Sequence, residues 1–334
     1  QSSFQDRTAY TTKAVADPSI STHPEGQEKR LGLFVQEEAV YDDRLTLIAG
    51  LRGDFAWQSP KRSGRGEVDI NDAAFSPKLA ALYDLTDNLS IFGSVAHTER
   101  MPTLDERYQY STTTPAGNGR PATPGKAPSL NLQKESSNSF EAGFAVSGYE
   151  LVQEGDQASV KVTGFYSDLT NMIESAPAVA GNTYYRNIGQ ATIYGVEVEG
   201  AYESESLFSR IAYSATAGTD DLTGKPLTSI PAHKLVLTLG GRVPEYALEY
   251  GVKATLVAAA DTGVTPAAGG STATSGYATL DVFSSWKPTT GTFAGTELRA
   301  SIDNVTNADF RDNQQADRST GRTFKLSLAK QFDW

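Results

Sequence analysis

The chain has 334 residues, with 29 Lys and Arg against 40 Asp and Glu, a formal net charge of −11. No basic excess is available to neutralise phosphates, so nucleic acid is excluded as a partner class. The absence of cysteine removes disulfides, thiolate metal sites and cysteine nucleophiles together. No window reaches the ~18 consecutive apolar residues of a transmembrane helix. The start, Gln1-Ser-Ser-Phe, has neither an initiator Met nor a basic region before an apolar run, so the chain is expected to be a mature or truncated product.

Two-residue alternation dominates the chain from about residue 30 onward. In 44–57, Leu45, Leu47, Ala49, Leu51, Phe55 and Trp57 share one face, and Arg44, Thr46, Arg52 and Asp54 share the other. In 192–203, Tyr194, Val196, Val198 and Tyr202 oppose Glu197 and Glu199. In 247–256, Leu248, Tyr250, Val252, Ala254 and Leu256 oppose Glu249, Lys253 and Thr255. In 296–303, Leu298, Ala300 and Ile302 oppose Glu297, Arg299, Ser301 and Asp303. Period two over these lengths means strands with one apolar and one polar face. The same template predicts about thirteen strands, at 31–40, 44–57, 73–85, 88–99, 136–149, 157–171, 187–203, 206–218, 231–243, 246–261, 275–288, 296–304 and 322–334. Many exceed the ~5–6 residues of ordinary strands and match the ~9–11 needed to cross a bilayer at a tilt.

The connections alternate between short and long. Short ones are Tyr41-Asp-Asp-Arg44, Leu85-Thr-Asp-Asn88, Glu203-Ser-Glu-Ser206 and Val243-Pro-Glu-Tyr246, with moderate ones at 150–156 and 288–295. Long ones are 58–72, 100–135, 172–186, 219–230, 262–274 and 305–321. Outer-membrane barrels have short periplasmic turns and long extracellular loops, and this sorting predicts a transmembrane antiparallel β-barrel. The last strand stops on aromatics, Phe332 and Trp334. Counting back from it, 31–40 runs downward, so 1–29 is expected to be an extracellular loop with the remnant of an upward strand. Residues 1–334 then form the C-terminal portion of one barrel domain, with 30–334 as strands, turns and loops. Enzyme signatures such as G-x-S-x-G, H-E-x-x-H or a Walker loop are absent, and His23, His97 and His233 are far apart in sequence.

Several segments resemble a known family. They are Phe34-Val-Gln-Glu-Glu38 with Leu45 to Asp54, Ser76-Pro-Lys-Leu79 with Leu89 to Ser94, Glu99-Arg-Met-Pro-Thr-Leu-Asp-Glu106, Leu132 to Gly143, Tyr185-Arg-Asn-Ile-Gly-Gln-Ala-Thr-Ile-Tyr-Gly-Val-Glu-Val-Glu199, Ile302 to Asn307 and Gly321 to Lys325. In this order they resemble TonB-dependent outer-membrane receptors, most of all those for haem and haemoglobin. The resemblance implies about 13 C-terminal strands of a 22-stranded barrel, with the plug domain outside this chain. It implies a non-enzymatic importer in the Gram-negative outer membrane, carrying haem ahead of a ferric siderophore. A passive porin-like barrel is the alternative from another class. Implied partners are the TonB energy-coupling complex acting through the plug, the barrel-assembly machinery, haem, a haemoprotein or siderophore, and the lipid bilayer. No intrinsic cofactor or metal is implied.

In the haem receptors two short motifs, an FRAP box and an NPNL box, flank a loop in which a histidine helps to ligate iron. Here Glu99 and Met101 alter the first box, Ser129-Leu-Asn-Leu132 stands for the second, and 100–135 contains no histidine. His97 lies two residues before the first box, as a haem ligand or as a rim or luminal histidine without that role. Arg100, Tyr108 and Tyr110 complete the expected ligand-binding set, with Tyr108 and Tyr110 either on ferric haem or facing solvent. Phe332 and Trp334 are expected to be the assembly signal.

Overall fold

The computed structural model describes residues 3–9, 26–61, 66–117, 122–176, 179, 181–227, 229–261, 273–315 and 317–331. In chain order the strands are β1 (Ser3–Ala9), β2 (Gly26–Tyr41), β3 (Leu45–Pro60), β4 (Ile70–Thr86) and β5 (Leu89–Arg100). A short helix, α1 (Leu104–Tyr108), follows, then β6 (Glu135–Tyr149), β7 (Gln157–Ser175), β8 (Tyr185–Glu203) and β9 (Leu207–Asp220). The remaining strands are β10 (Lys225–Pro226), β11 (Lys234–Val243), β12 (Leu248–Val257), β13 (Ala260–Asp261), β14 (Ala273–Thr274), β15 (Tyr277–Trp286), β16 (Thr296–Asp303) and β17 (Thr323–Lys330).

All but β13 and β14 form one antiparallel sheet, in which the long strands pair with their sequence neighbours in an unbroken up-and-down order. This is the wall of a β-barrel, and the thirteen predicted segments coincide with its long strands from β2 onward. The remaining long-path strand, β1, pairs antiparallel with β2 within 1–29, from Ser3↔Gly32 to Ala9↔Gly26. The short connections lie on one edge of the wall. The first, between Tyr41 and Leu45, has Asp42 and Asp43 both at positive φ (49° and 52°), the twist that a tight hairpin requires.

Apart from a shift between Asp84 and Thr86 beside the β4–β5 turn, the pairing registers carry the two faces across the sheet without a slip. Leu47, Ala81, Gly93, Ala142, Gly164, Val196 and Ala215 form one continuous row. Ile211, Leu237, Ala254 and Leu280 belong to another row on the same face. These side chains face away from the chain's own loops, and many are widely exposed, Val35 at 65% and Leu326 at 76%. A contiguous apolar belt of this extent is a lipid-facing surface. On β6, β7 and β8 the belt ends at Phe140, Tyr166 and Tyr194, which oppose one another across the strands. The next outward positions are polar: Asn138, Asp168 and Thr192.

The opposite face carries the charge. Lys253 pairs with Asp281 at 2.9 Å and Lys325 with Asp303 at 2.5 Å. Its aromatics sit directly across from glycines: Phe92 from Gly143, Phe165 from Gly195, Phe208 from Gly240 and Phe283 from Gly251. Ring atoms cover these positions, and a Cβ on Gly240 would meet Phe208 Cζ at 2.1 Å. Aromatic cover of strand glycines fixes register and permits curvature. Gly195 in this way makes room for the Phe165 ring, whose Cζ would lie 2.5 Å from a Cβ there.

Candidate functional site

The segment between β5 and β6 is one of the long connections read from sequence, and it folds inward. Its first turn is α1, five residues long. Thr103 caps it: Thr103 Oγ1 accepts from Glu106 N at 3.2 Å, and Glu106 Oε2 accepts from Thr103 N at 2.8 Å. The pattern Thr103-Leu-Asp-Glu106 is a capping box, a signal present in the sequence but not read there. Met101, Pro102, Leu104 and Tyr108 are buried. Met101 packs with Ala56 and Ala74, small residues on the charged face of β3 and β4 that leave room for it. Gln58 Nε2 donates to Pro102 O at 2.9 Å and to Glu28 Oε1 at 2.8 Å. Arg107 Nη2 donates to Asp72 Oδ2 at 2.6 Å, and Tyr108 Oη donates to Val68 O at 2.8 Å. The charged face is therefore the inside of the wall, and α1 lies against it.

Two ion pairs, made by neighbouring residues at the end of β5, close the base of the loop. Lys134 Nζ donates to Glu99 Oε2 at 2.8 Å and to Ala73 O at 2.7 Å. Arg100 Nε donates to Glu135 Oε2, and its two terminal nitrogens donate to Glu106 at 2.9 and 3.0 Å. The charge order Glu-Arg leaving β5 meets Lys-Glu approaching β6, which is complementary in an antiparallel pair. Glu99 Oε2 also accepts from Phe75 N at 2.8 Å, beyond the point where the β4–β5 ladder ends at Lys78↔Ala96. The return limb is fastened to the β7–β8 hairpin. Ser129 Oγ accepts from Tyr185 N at 2.7 Å, and Asn187 Oδ1 accepts from Gln133 N at 2.9 Å. Asn187 Nδ2 donates to Gln133 O at 3.1 Å and Asn171 O at 2.6 Å. The loop thus bridges the β2–β4 wall and the β7–β8 hairpin.

Of the predicted site residues, Arg100 and Tyr108 belong to this structure and His97 does not. Arg100 is held between two carboxylates. Tyr108 is 1% exposed, and burial pushes its phenol up to about 12. Tyr110 is half-buried at the start of the limb beyond α1. His97 lies on the outer face, in register with the row of Ile91, Gly93 and Val95, and its Nδ1 is 2.8 Å from Asn138 Oδ1. That is the first polar level above the apolar belt, and the sheet separates it from Tyr108. Phe332 and Trp334 lie outside the described residues. Sequence reading missed Asp72, Lys134 and Asn187, which anchor the loop. The Glu-Arg and Lys-Glu pairs at its two ends were the available signal.

The Glu106 carboxyl links loop geometry to pH. Burial raises its pKa, but the hydrogen bonds from Arg100 and Thr103 and the Arg100 charge outweigh that and leave it below 4.5. A depressed carboxylate stabilises the fold fully above its unfolded value and loses that contribution as pH falls through the lower folded value. Amide exchange in 101–108 should therefore be flat from neutral pH to about 5 once corrected for intrinsic rates, and accelerate below about 4.5. Glu106→Gln should remove the acceleration.

A family model described as TonB-dependent receptor-like β-barrel matches residues 1–305. The chain is similar to TonB-dependent heme receptor A of Haemophilus influenzae strain 86-028NP, 28% identical over 92% of this chain and 45% of the relative. Similarity to the protein of that name from Haemophilus ducreyi is 29%, over 92% of this chain and 46% of the relative. The chain thus spans less than half the length of these relatives. Among solved structures, the Serratia marcescens hemophore receptor HasR, in complex with its hemophore HasA and heme, superposes with a TM-score of 0.73 at 20% identity, over 99% of this chain and 58% of that one. The copper transporter OprC superposes with a TM-score of 0.71 at 16% identity, over 91% and 48%. Both likenesses concern the fold. With the family model matching nearly the whole wall, the chain belongs to the TonB-dependent receptor-like β-barrel family.

Proposed function

We propose that this barrel wall serves an outer-membrane receptor that imports haem with energy from the TonB complex, the inward loop 101–134 forming part of the ligand approach. Proteins of this family are receptors of the Gram-negative outer membrane, and the relatives named for heme carry the choice of cargo. A loop tied by ion pairs to one wall and by amides to a hairpin on the other side gives a receptor a fixed inner surface to present. In this reading Arg100 and Tyr108 shape the loop, and Tyr110 offers a phenol to ferric haem or to its ring. Phe332 and Trp334 act in recognition by the barrel-assembly machinery. The ferric-siderophore reading shares the fold but has no support from the heme-receptor relatives.

The full-length protein in detergent should give a saturable Soret shift with haemin. His97→Ala should leave that shift in place, and Tyr110→Phe should weaken it. A parent protein without a shift, in a strain whose deletion abolishes growth on a siderophore and spares growth on haem, would overturn the cargo.

A further inference from the structure

We propose that the turn between β6 and β7 is a lipid anchor, inserting Leu151 and Val152 among zwitterionic phospholipids at the short-turn side of the membrane. This rests on the lipid-facing outer surface and is independent of the cargo.

The turn is rigid and is folded toward the outer face. Glu150 has φ 55°, which swings the chain out of the strand direction. Asp156 is 1% exposed and acts as the hub: Oδ1 accepts from Leu151 N at 2.7 Å, and Oδ2 accepts from Val152 N at 2.8 Å and Gln153 N at 2.9 Å. Tyr202 Oη adds a fourth hydrogen bond to Oδ2 at 3.0 Å. Tyr202 belongs to the outer row that runs through Ala158 and Gly148, so the hub is tied to the lipid-facing side. Leu151 then folds back over Gly148, its Cδ2 2.9 Å from where a Cβ would stand. It supplies the apolar side chain that Gly148 lacks, extending the outer row of Phe144 and Val146 by one step.

Yet Leu151 remains 60% exposed and Val152 80% exposed. Burial removes apolar surface from water, so a turn holding both side chains exposed forgoes that stabilisation. The two preceding short turns, Asp42-Asp43 and Asp87-Asn88, carry polar tips. Continuity with the apolar belt identifies lipid as what covers this one. Glu150 and Glu154 flank the apolar tip, and no Lys or Arg lies between 150 and 156. Carboxylates suit an ethanolamine ammonium and repel an anionic headgroup.

The chain has no cysteine, so Val152→Cys is the single thiol in this part of the protein, and any cysteine elsewhere in the full-length protein is first replaced by serine. Val152 is exposed and without a packing role, and the substitution should not disturb folding. The full-length protein is labelled there with an environment-sensitive dye and reconstituted in phosphatidylethanolamine–phosphatidylcholine vesicles, with Asp87→Cys as the comparison. At position 152 the emission should be blue-shifted, quenched by a shallow nitroxide phospholipid and protected from iodide, whereas position 87 should show the reverse. Iodide quenching equal to that at 87 would overturn the proposal. Protection from both quenchers would overturn it too, by showing that a protein surface covers the turn.

Discussion

Asp72→Ala should detach α1 from the inner wall at a cost of about 3–5 kcal/mol, the usual penalty for stripping one partner from a buried ion pair. Arg107 is only 4% exposed, and its Nε is buried without a hydrogen-bond partner. The guanidinium therefore depends on Asp72 for its charge balance. Asp72 also accepts from Ala73 N at 2.9 Å, so the substitution frees a backbone donor as well. Beside Arg107 the loop holds Tyr108 and Leu104, which stay dry only while the helix is docked. The expected result is rapid amide exchange and proteolysis in 101–117 with the barrel strands still protected. Removing the stranded cation as well, in Asp72→Ala with Arg107→Met, should recover most of the loss, because apolar replacement of a buried pair is often neutral or better. Unchanged protection of 104–108 in the single variant would show that α1 is held by its apolar contacts alone.

The wall was legible because barrel strands obey one short-range rule. Leu45, Leu47 and Ala49 point outward for the same reason that Thr46 and Arg52 point inward, and no long-range knowledge is needed to read it. The turns were legible for a similar reason, since Asp42-Asp43 and Asn304 tolerate positive φ at strand ends. The loop was not legible to the same degree. Its docking depends on Ala56 and Ala74 being small on the inner face, opposite a segment more than 25 residues away. No local pattern shows that pairing. Even so, the complementary Glu99-Arg100 and Lys134-Glu135 could have been matched once β5 and β6 were known to be neighbours. His97 is a different case. Its place two residues before Glu99 left it as a haem ligand or as a rim or luminal histidine, and the alternation that places Ile91, Gly93 and Val95 outward carries His97 outward too. Parity settles its face more firmly than proximity in sequence.

That same parity rule yields the sharpest test of which face meets the membrane, because it separates adjacent residues. Val162 lies in the outer row between Phe144 and Val198, and Thr163 lies inward between Gly143 and Glu197. Arginine at Val162 puts a cation in the apolar belt about midway between the short turn and the Phe140–Tyr166–Tyr194 level. The expected cost is about 2–4 kcal/mol, falling toward zero for the same substitution near either interface. Arginine at Thr163 enters the charged lumen opposite Glu197, where a cross-strand ion pair is worth about 0.2–1 kcal/mol in favour. Reversible unfolding of the full-length protein in lipid should therefore show a large loss for Val162→Arg and little change for Thr163→Arg. An inverted pair of results would mean that the charged face meets the lipid. Equal losses would mean that the two faces do not differ in polarity at this depth. In the barrel a one-residue shift along β7 changes the outcome by several kcal/mol, because side-chain parity there decides between hydrocarbon and water.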